Sequence, residues 1–119
     1  MQINGSGGCF EERIYEIEPD VAWQVGLLVA AEMAVNIEER NDKDRLLNGT
    51  IASVEKALLT GKRKTKLFTF SVQVLDKESC QIILDIRKEQ IEVYSFRPQN
   101  KEAIEFFKIF DKKLKEYAA

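Results

Sequence analysis

The sequence predicts an α+β two-layer sandwich, in which an antiparallel sheet of about four to five strands packs against two helices in the order β-α-β-β-β-β-α. Residues 68–74 and 80–86 alternate between apolar and polar side chains, with Ile83 as the exception, which is the pattern of half-buried strands. The polar residues 76–79 between them favour an antiparallel hairpin. Two amphipathic segments, 21–34 and 101–117, have helical spacing and can cover the apolar face of that hairpin.

Composition places the chain among ordinary globular proteins of one domain. The net charge of −2 over 119 residues gives no overall indication of nucleic acid or an anionic membrane as a partner. Histidine is absent, which removes the commonest general base and metal ligand. The glycine-rich residues 1–9 are predicted to be a flexible tether or a cloning remnant, and residues 10–119 the single domain.

The first strand and the first helix are predicted at the start of the domain. Apolar residues spaced among charged ones indicate a short strand within residues 10–18. Glu18, Pro19 and Asp20 form a helix-start signal, since proline is tolerated in the first turn and either acidic side chain can cap it. From Val21 onward, apolar residues recur at spacings of three and four, which predicts the helix.

Residues 35–45 allow two interpretations. They continue the helix as an exposed charged tail, or they form a strand over residues 34–40 with a polar turn over 41–48; the strand is preferred. Asn48 and Gly49 then separate this segment from another predicted strand over residues 50–57. The acidic side chains here lack the central glycine and terminal glutamate of a calcium loop, so no metal site is predicted.

Basic residues are concentrated between two predicted strands. The candidate partner-binding residues are Lys62, Arg63, Lys64 and Lys66, within the segment 58–66. They can hold an acidic partner, or they can be a solvated hairpin tip whose charges prevent association at the sheet edge. No aromatic residues interleave with them for base stacking, so nucleic-acid binding is not predicted.

The chain ends with a further strand and an amphipathic helix. Residues 91–96 are predicted as a strand, Pro98 ends it, and Asn100 is expected to cap the next helix. In residues 101–117, apolar side chains recur at spacings of three and four, as in a helix with one buried face. The stripe consists of Ala103, Phe107, Phe110, Leu114 and Tyr117, with Ile104 and Phe106 beside it.

Aromatic residues at core spacing lie on both helices and on the hairpin. They predict either a plain hydrophobic core or the wall of a ligand cavity between the last helix and the sheet. The candidate cavity-lining residues are Trp23, Phe68, Phe70, Phe107 and Phe110. Cys80 lies on the apolar face of the hairpin, where burial is expected, and no histidine is present to activate it. No catalytic residue, metal or cofactor is therefore predicted, and the protein is not expected to be an enzyme.

Several spaced residues form a pattern found in small bacterial envelope lipoproteins, in which a strand feeds a helix that begins near a tryptophan and a charged turn leads to the next strand. The residues that carry it are Tyr15, Asp20, Ala22, Trp23, Ile37, Asp44 and the run Gly49, Thr50, Ile51, Ala52. The pattern resembles the helix-grip domains of the outer-membrane assembly lipoprotein BamC, over residues 14–55 in motif and elsewhere in element order. The resemblance implies a helix-grip fold on the periplasmic side of the bacterial cell envelope.

The resemblance implies a role for Cys9. In such lipoproteins the mature chain begins at a lipidated cysteine followed by a short tether, and Gly8 and Cys9 match the end of a lipobox. Ser6 departs from the usual aliphatic residue, and a vector-derived Gly-Ser-Gly leader before an ordinary cysteine explains the same letters. Lipid on Cys9 would tether the domain to a membrane, although one acyl chain alone binds only marginally.

Three functions follow as hypotheses. The first is a non-enzymatic, envelope-associated interaction or scaffold domain, which binds a protein partner and reaches the membrane only through a lipid anchor. The second is an apolar small-ligand carrier that uses the cleft between the C-terminal helix and the sheet. The third is a cytoplasmic regulator that binds acidic partners through the basic residues of the loop 61–66. A monomer or a weak homodimer is expected, since an unpaired edge strand can pair with a second copy.

Overall fold

The computed structural model describes residues 10–56, 63–88 and 101–118. They form one sheet with two helices packed on one of its faces, in the predicted order β-α-β-β-β-β-α. The fold is therefore the expected α+β two-layer, helix-grip-like sandwich. Its elements are β1 (Phe10–Tyr15), α1 (Pro19–Glu32), β2 (Asn36–Asn41), β3 (Leu46–Lys56), β4 (Arg63–Asp76), β5 (Ser79–Lys88) and α2 (Lys101–Ala118).

The sheet is antiparallel and has its longest strand in the middle. The strand order is β1-β5-β4-β3-β2, so β2 to β5 form a meander and β1 adds at the far edge beside β5. Phe70 on β4 lies opposite Leu47 on β3 and Leu84 on β5. The hairpin whose alternation predicted the fold, β4–β5, is thus the centre of the sheet.

Alternation along the strands separates a covered face from an open one, as predicted. On the open face, the Thr69 hydroxyl donates to Asn48 Oδ1 at 3.0 Å, and Asn48 Nδ2 donates to Glu39 Oε1 at 2.7 Å. These side chains stand opposite one another on β4, β3 and β2. The buried apolar side chains of the covered face are Leu47, Ile51, Phe68, Phe70, Val72, Cys80, Ile82, Leu84 and Ile86.

Helix α1 begins at the predicted proline, but its acidic neighbours do not cap it. Glu18 occupies the N-cap position without a side-chain hydrogen bond. The Asp20 carboxylate instead accepts a hydrogen bond from Arg45 Nη2 at 2.7 Å, which ties the start of α1 to the loop before β3. The expectation of a side-chain cap was therefore wrong, because a tertiary partner competes for that carboxylate.

The end of α1 is closed by a Schellman motif. Ala34 has a φ of 58°, and the N–H groups of Ala34 and Val35 donate to the carbonyls of Ala31 and Ala30 at 3.1 and 3.0 Å. A residue with a Cβ is disfavoured in this left-handed conformation, where glycine is the usual choice. Because the chain turns here, residues 35–45 do not continue the helix.

Of the two interpretations of residues 35–45, the strand is confirmed, because residues 36–41 form β2. It pairs with β3 across a short turn, with a bulge between Ile37 and Glu39. The expected break at Asn48 and Gly49 was wrong, because both residues lie inside β3. A Cβ on Gly49 would come within 2.2 Å of the Asn36 carbonyl oxygen, so this glycine permits close strand packing and marks no turn.

A second glycine sets the distance between α1 and the sheet. A Cβ on Gly26 would lie 2.1 Å from Cζ of Phe70, so the ring of Phe70 occupies the place that a larger residue would need. Helix α1 can therefore approach β4 more closely at this point than at a residue with a side chain.

Helix α2 follows the predicted spacing, with one correction. Its buried residues include Ala103, Phe106, Phe107 and Phe110, but Tyr117 is 55% exposed although its spacing placed it on the apolar stripe. Between the helices, Lys113 Nζ lies 3.0 Å from Glu32 Oε1.

Several predictions lie outside the described residues. They concern Cys9, Lys62, the strand over residues 91–96 and the cap at Asn100.

Candidate functional site

A cluster of aromatic rings fills the space between the two helices and the covered face of the sheet. Phe106 of α2 lies at its centre, with ring centroids 5.9 Å from Phe68, 5.4 Å from Phe70, 5.4 Å from Phe107 and 6.2 Å from Phe110. All of these rings are buried. Tilted and edge-on contacts at these distances are favourable for aromatic pairs. The spacing of α2 placed Phe106 beside the stripe, but only the packing shows that it contacts every other phenylalanine of the cluster.

Trp23 joins the cluster from α1. Its ring is stacked on Phe70 with centroids 5.7 Å apart and an angle of 4° between the planes. The indole Nε1 donates to Asp42 Oδ1 at 2.9 Å, so the apolar part of the ring is buried while its one donor is satisfied at the turn after β2. Hydrogen bonds from Arg40 and then from Trp23 lower the pKa of the Asp42 carboxyl.

A buried ion pair lies at one end of the cluster. Lys66 Nζ of β4 is 2.8 Å from Glu102 Oε1 of α2, and the side chains of the two residues are 7% and 1% exposed. A charge in such a place is unfavourable unless it is paired and hydrogen-bonded. The pair therefore connects the first turn of α2 to the sheet.

The ion pair and the rings form two facing rows. Strand alternation places Lys66, Phe68 and Phe70 on the same side of β4. Steps of four residues place Glu102, Phe106 and Phe110 on one side of α2. The contacts Lys66–Glu102 and Phe68–Phe106 match the two rows in order. One end of the interior is therefore occupied by the ion pair, and the rest is filled by aromatic rings.

Polar groups of β1 border the far end of the cluster. The Arg13 guanidinium carbon lies 4.1 Å from the centroid of the Phe107 ring, a cation–π contact. The ring of Tyr15 is 5.1 Å from that of Phe110, and its hydroxyl donates to Asp111 Oδ1 at 2.7 Å. Burial first, and then the hydrogen bond to Asp111, raise the pKa of Tyr15.

The basic residues predicted as one exposed group are divided by the structure. Arg63 and Lys64 begin β4, and Lys62 lies outside the described residues. Lys66 is buried on the covered face, so its expected place in an exposed loop was wrong. The period-two pattern contained the signal, since Lys66 is two residues before Phe68 and shares its face.

The five candidate cavity-lining residues are brought together. Trp23, Phe68, Phe70, Phe107 and Phe110 all belong to the buried cluster, in contact with one another or with Phe106. The cavity itself stays a prediction, because these rings pack directly against their neighbours.

Cys80 is buried, as its place on the hairpin predicted. Burial raises the pKa of its thiol, which disfavours the reactive thiolate. Within the described ranges, no three histidine, cysteine, aspartate or glutamate side chains are grouped as a metal ion would require. In the same ranges, neither helix is long and apolar enough to cross a bilayer.

Comparison with known proteins adds little to this description. No family model matches the chain, and no curated protein matches it. Among solved structures, the chain is similar to the ZhuI aromatase/cyclase from Streptomyces sp. R1128, with 13% sequence identity and a TM-score of 0.35, over 89% of this chain and 84% of that one. We draw no functional conclusion from so distant a likeness. The resemblance to envelope lipoproteins stays a prediction.

Proposed function

We propose that this protein binds an apolar small molecule between α2 and the covered face of the sheet. The observation that carries the proposal is the aromatic cluster, in which α1, α2 and β4 each contribute rings to one interior. Ligand sites in proteins are lined mainly by apolar and aromatic side chains with a few polar groups. The polar groups here are the ion pair at one end and the Tyr15 hydroxyl near the other.

Entry of a ligand requires α2 to move slightly away from the sheet. Phe106 contacts rings on both β4 and α2, so a ligand that slides between these elements replaces ring–ring contacts with ring–ligand contacts. The exchange leaves the rings shielded from water, so filling the site does not expose apolar surface.

Titration with neutral apolar compounds tests this proposal. Trp23 is the only tryptophan and stacks on Phe70, so its fluorescence reports on the interior. Hexanol, decanol and naphthalene are to be titrated, with methyl NMR signals recorded in parallel. Saturable binding should shift the buried methyl signals of Ile82 and Leu84 and leave that of the exposed Ile14 unchanged. Non-saturable changes, or shifts confined to exposed methyl groups, would refute the proposal.

A protein-interaction function is the second candidate, and the edge of the sheet favours it. Strand β1 lies at the edge, and its Ile14 is 67% exposed on the open face. A partner strand can pair with such an edge. The envelope location and the lipid anchor at Cys9 belong to this candidate, and mass spectrometry of the full-length gene product would test them: an unmodified Cys9 removes the anchor. The third function, a cytoplasmic regulator, loses one of its predicted contacts because Lys66 is buried.

A further inference from the structure

We infer that strand β1 pairs with β1 of a second copy of this chain, so that two five-stranded sheets join into one. The inference does not depend on the proposed ligand site. It names the partner, the edge and the register of the contact, which an exposed edge by itself leaves open. Pairing of this kind is strand addition between two identical edges, related by a two-fold axis perpendicular to the sheet.

The two edges of the sheet differ in how well they can accept another strand. Among the described residues, no strand pairs with β1 on the side away from β5, or with β2 on the side away from β3. Strand β2 contains a bulge between Ile37 and Glu39, and a bulge disrupts the regular ladder that a further strand needs. Strand β1 keeps an unbroken register with β5 over all six of its residues. The edge suited to pairing is therefore β1.

The charges of β1 are complementary to those of its own copy. In an antiparallel pair, residues directly opposite one another lie on the same face of the sheet. If Glu12 lies opposite Glu12 of the second copy, then Glu11 faces Arg13 and Arg13 faces Glu11, which gives two pairs of opposite charge. A register centred on Arg13 would place two guanidinium groups opposite each other and Glu11 opposite Tyr15. Charge complementarity therefore favours the register centred on Glu12.

Both members of these pairs are placed to meet a second copy. Arg13 Nη2 lies 3.7 Å from Glu11 Oε2, so the two side chains share the covered face of the sheet, and both are partly exposed. The distance is long for an ion pair, so each group can approach its opposite on the second copy more closely than it approaches its neighbour.

The like charges at the centre of this register are held apart. Glu12 points to the open face, where its Oε2 accepts a hydrogen bond from Gln81 Nε2 of β5 at 2.8 Å. This bond directs the Glu12 carboxylate towards β5 and away from the two-fold axis. Some repulsion between the two carboxylates is still expected, so the neutral isostere Glu12→Gln should strengthen the association.

Exposed apolar side chains lie beside β1 on both faces of the sheet. On the open face, Ile14 is more than half exposed. On the covered face, α2 faces β1 with the side that carries Phe107 and Asp111. Ile104 is one helical turn before Phe107 on that side and is also exposed. A second copy paired along β1 lies beside both isoleucines, and covering them from water favours the pairing.

Sedimentation equilibrium of the full chain measures the association, at concentrations up to about 1 mM because a contact of this size is weak. Glu11→Arg and Arg13→Glu each turn both cross-strand pairs into like charges, and the exchanged variant Glu11→Arg/Arg13→Glu restores opposite charges. Glu38→Arg is the matched control, since it makes the same change of charge on β2 at the other edge. Urea unfolding shows that every variant is folded.

The wild type, Glu38→Arg and the exchanged variant should form dimers. Each single variant of Glu11 or Arg13 should associate with itself at least about tenfold more weakly. An equal mixture of these two variants should form a mixed dimer, because the two glutamates of one chain then face the two arginines of the other. A monomeric wild type, single variants that associate like the wild type, or a mixture without mixed dimers would overturn the inference. Weaker association of Glu38→Arg would overturn it in favour of β2.

Amide hydrogen exchange gives a second measurement that needs no substitution. The amides of β1 should exchange more slowly at high protein concentration than at low concentration, while those of β2 should keep the same rates. Equal rates in β1 at both concentrations, or protection confined to β2, would overturn the inference.

Discussion

Replacing Lys66 by methionine should be among the most destabilising single changes in this protein. Methionine preserves the apolar stem but removes the ammonium that is 2.8 Å from Glu102 Oε1. The carboxylate of Glu102, in a side chain that is 1% exposed, then loses the Lys66 ammonium but stays buried. The matched comparison is Lys113→Met, which breaks the ion pair with Glu32 on the surface, where the side chains are 24% and 53% exposed.

The magnitude follows from the burial and the distance. At 2.8 Å and an effective dielectric constant of about 20, the attraction between the two charges is about 6 kcal/mol before desolvation is subtracted. Removing one member of a buried pair typically lowers stability by about 3–5 kcal/mol. A surface pair such as Lys113–Glu32 contributes about 1 kcal/mol or less. Because domains are stable by only about 5–15 kcal/mol, Lys66→Met should remove a large part of the total.

The assay is urea unfolding at neutral pH, followed by the fluorescence of Trp23. Linear extrapolation gives the free energy of unfolding for wild type, Lys66→Met, Glu102→Gln, the double variant and Lys113→Met. The double variant Lys66→Met/Glu102→Gln should recover about 2 kcal/mol or more relative to Lys66→Met, since it no longer contains a buried carboxylate that has lost the Lys66 ammonium.

Two results would refute this reasoning. One is a loss for Lys66→Met no larger than that for Lys113→Met, which would mean that Lys66 is as solvated as a surface residue. The other is strict additivity of Lys66→Met and Glu102→Gln, which would mean that the two side chains do not interact in solution.

Three further predictions concern the framework of the site. Gly26→Ala should lower the free energy of unfolding in urea by about 1–3 kcal/mol, because the new Cβ would lie 2.1 Å from the Phe70 ring. Helix propensity alone predicts that alanine stabilises the helix, so an increase in stability would show that α1 does not approach the sheet so closely. Ala34→Gly should raise stability by about 1 kcal/mol, because φ at this position is 58°; a loss of stability would contradict the left-handed conformation. Burial and the hydrogen bond to Asp111 raise the pKa of Tyr15 above its ordinary value of 10.0, so the unfolded chain ionises first and stability should fall as the pH rises past about 10. Tyr15→Phe should reduce this alkaline loss in thermal melts, and an unchanged pH profile would exclude Tyr15 as its source.

The element order was predictable because its signals are local. Alternation in residues 68–86 and the three- and four-residue spacing in 101–117 depend only on the geometry of strands and helices. The end of α1 was not predictable in the same way, since Ala34 adopts a conformation that its residue type disfavours. The break expected at Gly49 failed for a related reason: a glycine that permits close strand packing has the same sequence signature as one that makes a turn.

The candidate site was predicted in part. The aromatic residues were assigned to one interior, because their spacing determines which face of each element they share. The ion pair was missed because Lys66 and Glu102 are 36 residues apart, and a lysine among other basic residues is usually solvated.

By itself, the sequence determined the order of strands and helices and which face of each is apolar, since both depend on the repeat of the backbone. Only the tertiary structure decided which side chains from distant elements meet: Lys66 with Glu102, Phe106 with the rings around it, and Phe70 with Gly26. The physical reason is that such contacts depend on the distance and the angle between the helices and the sheet. Both are determined by all the packed side chains together.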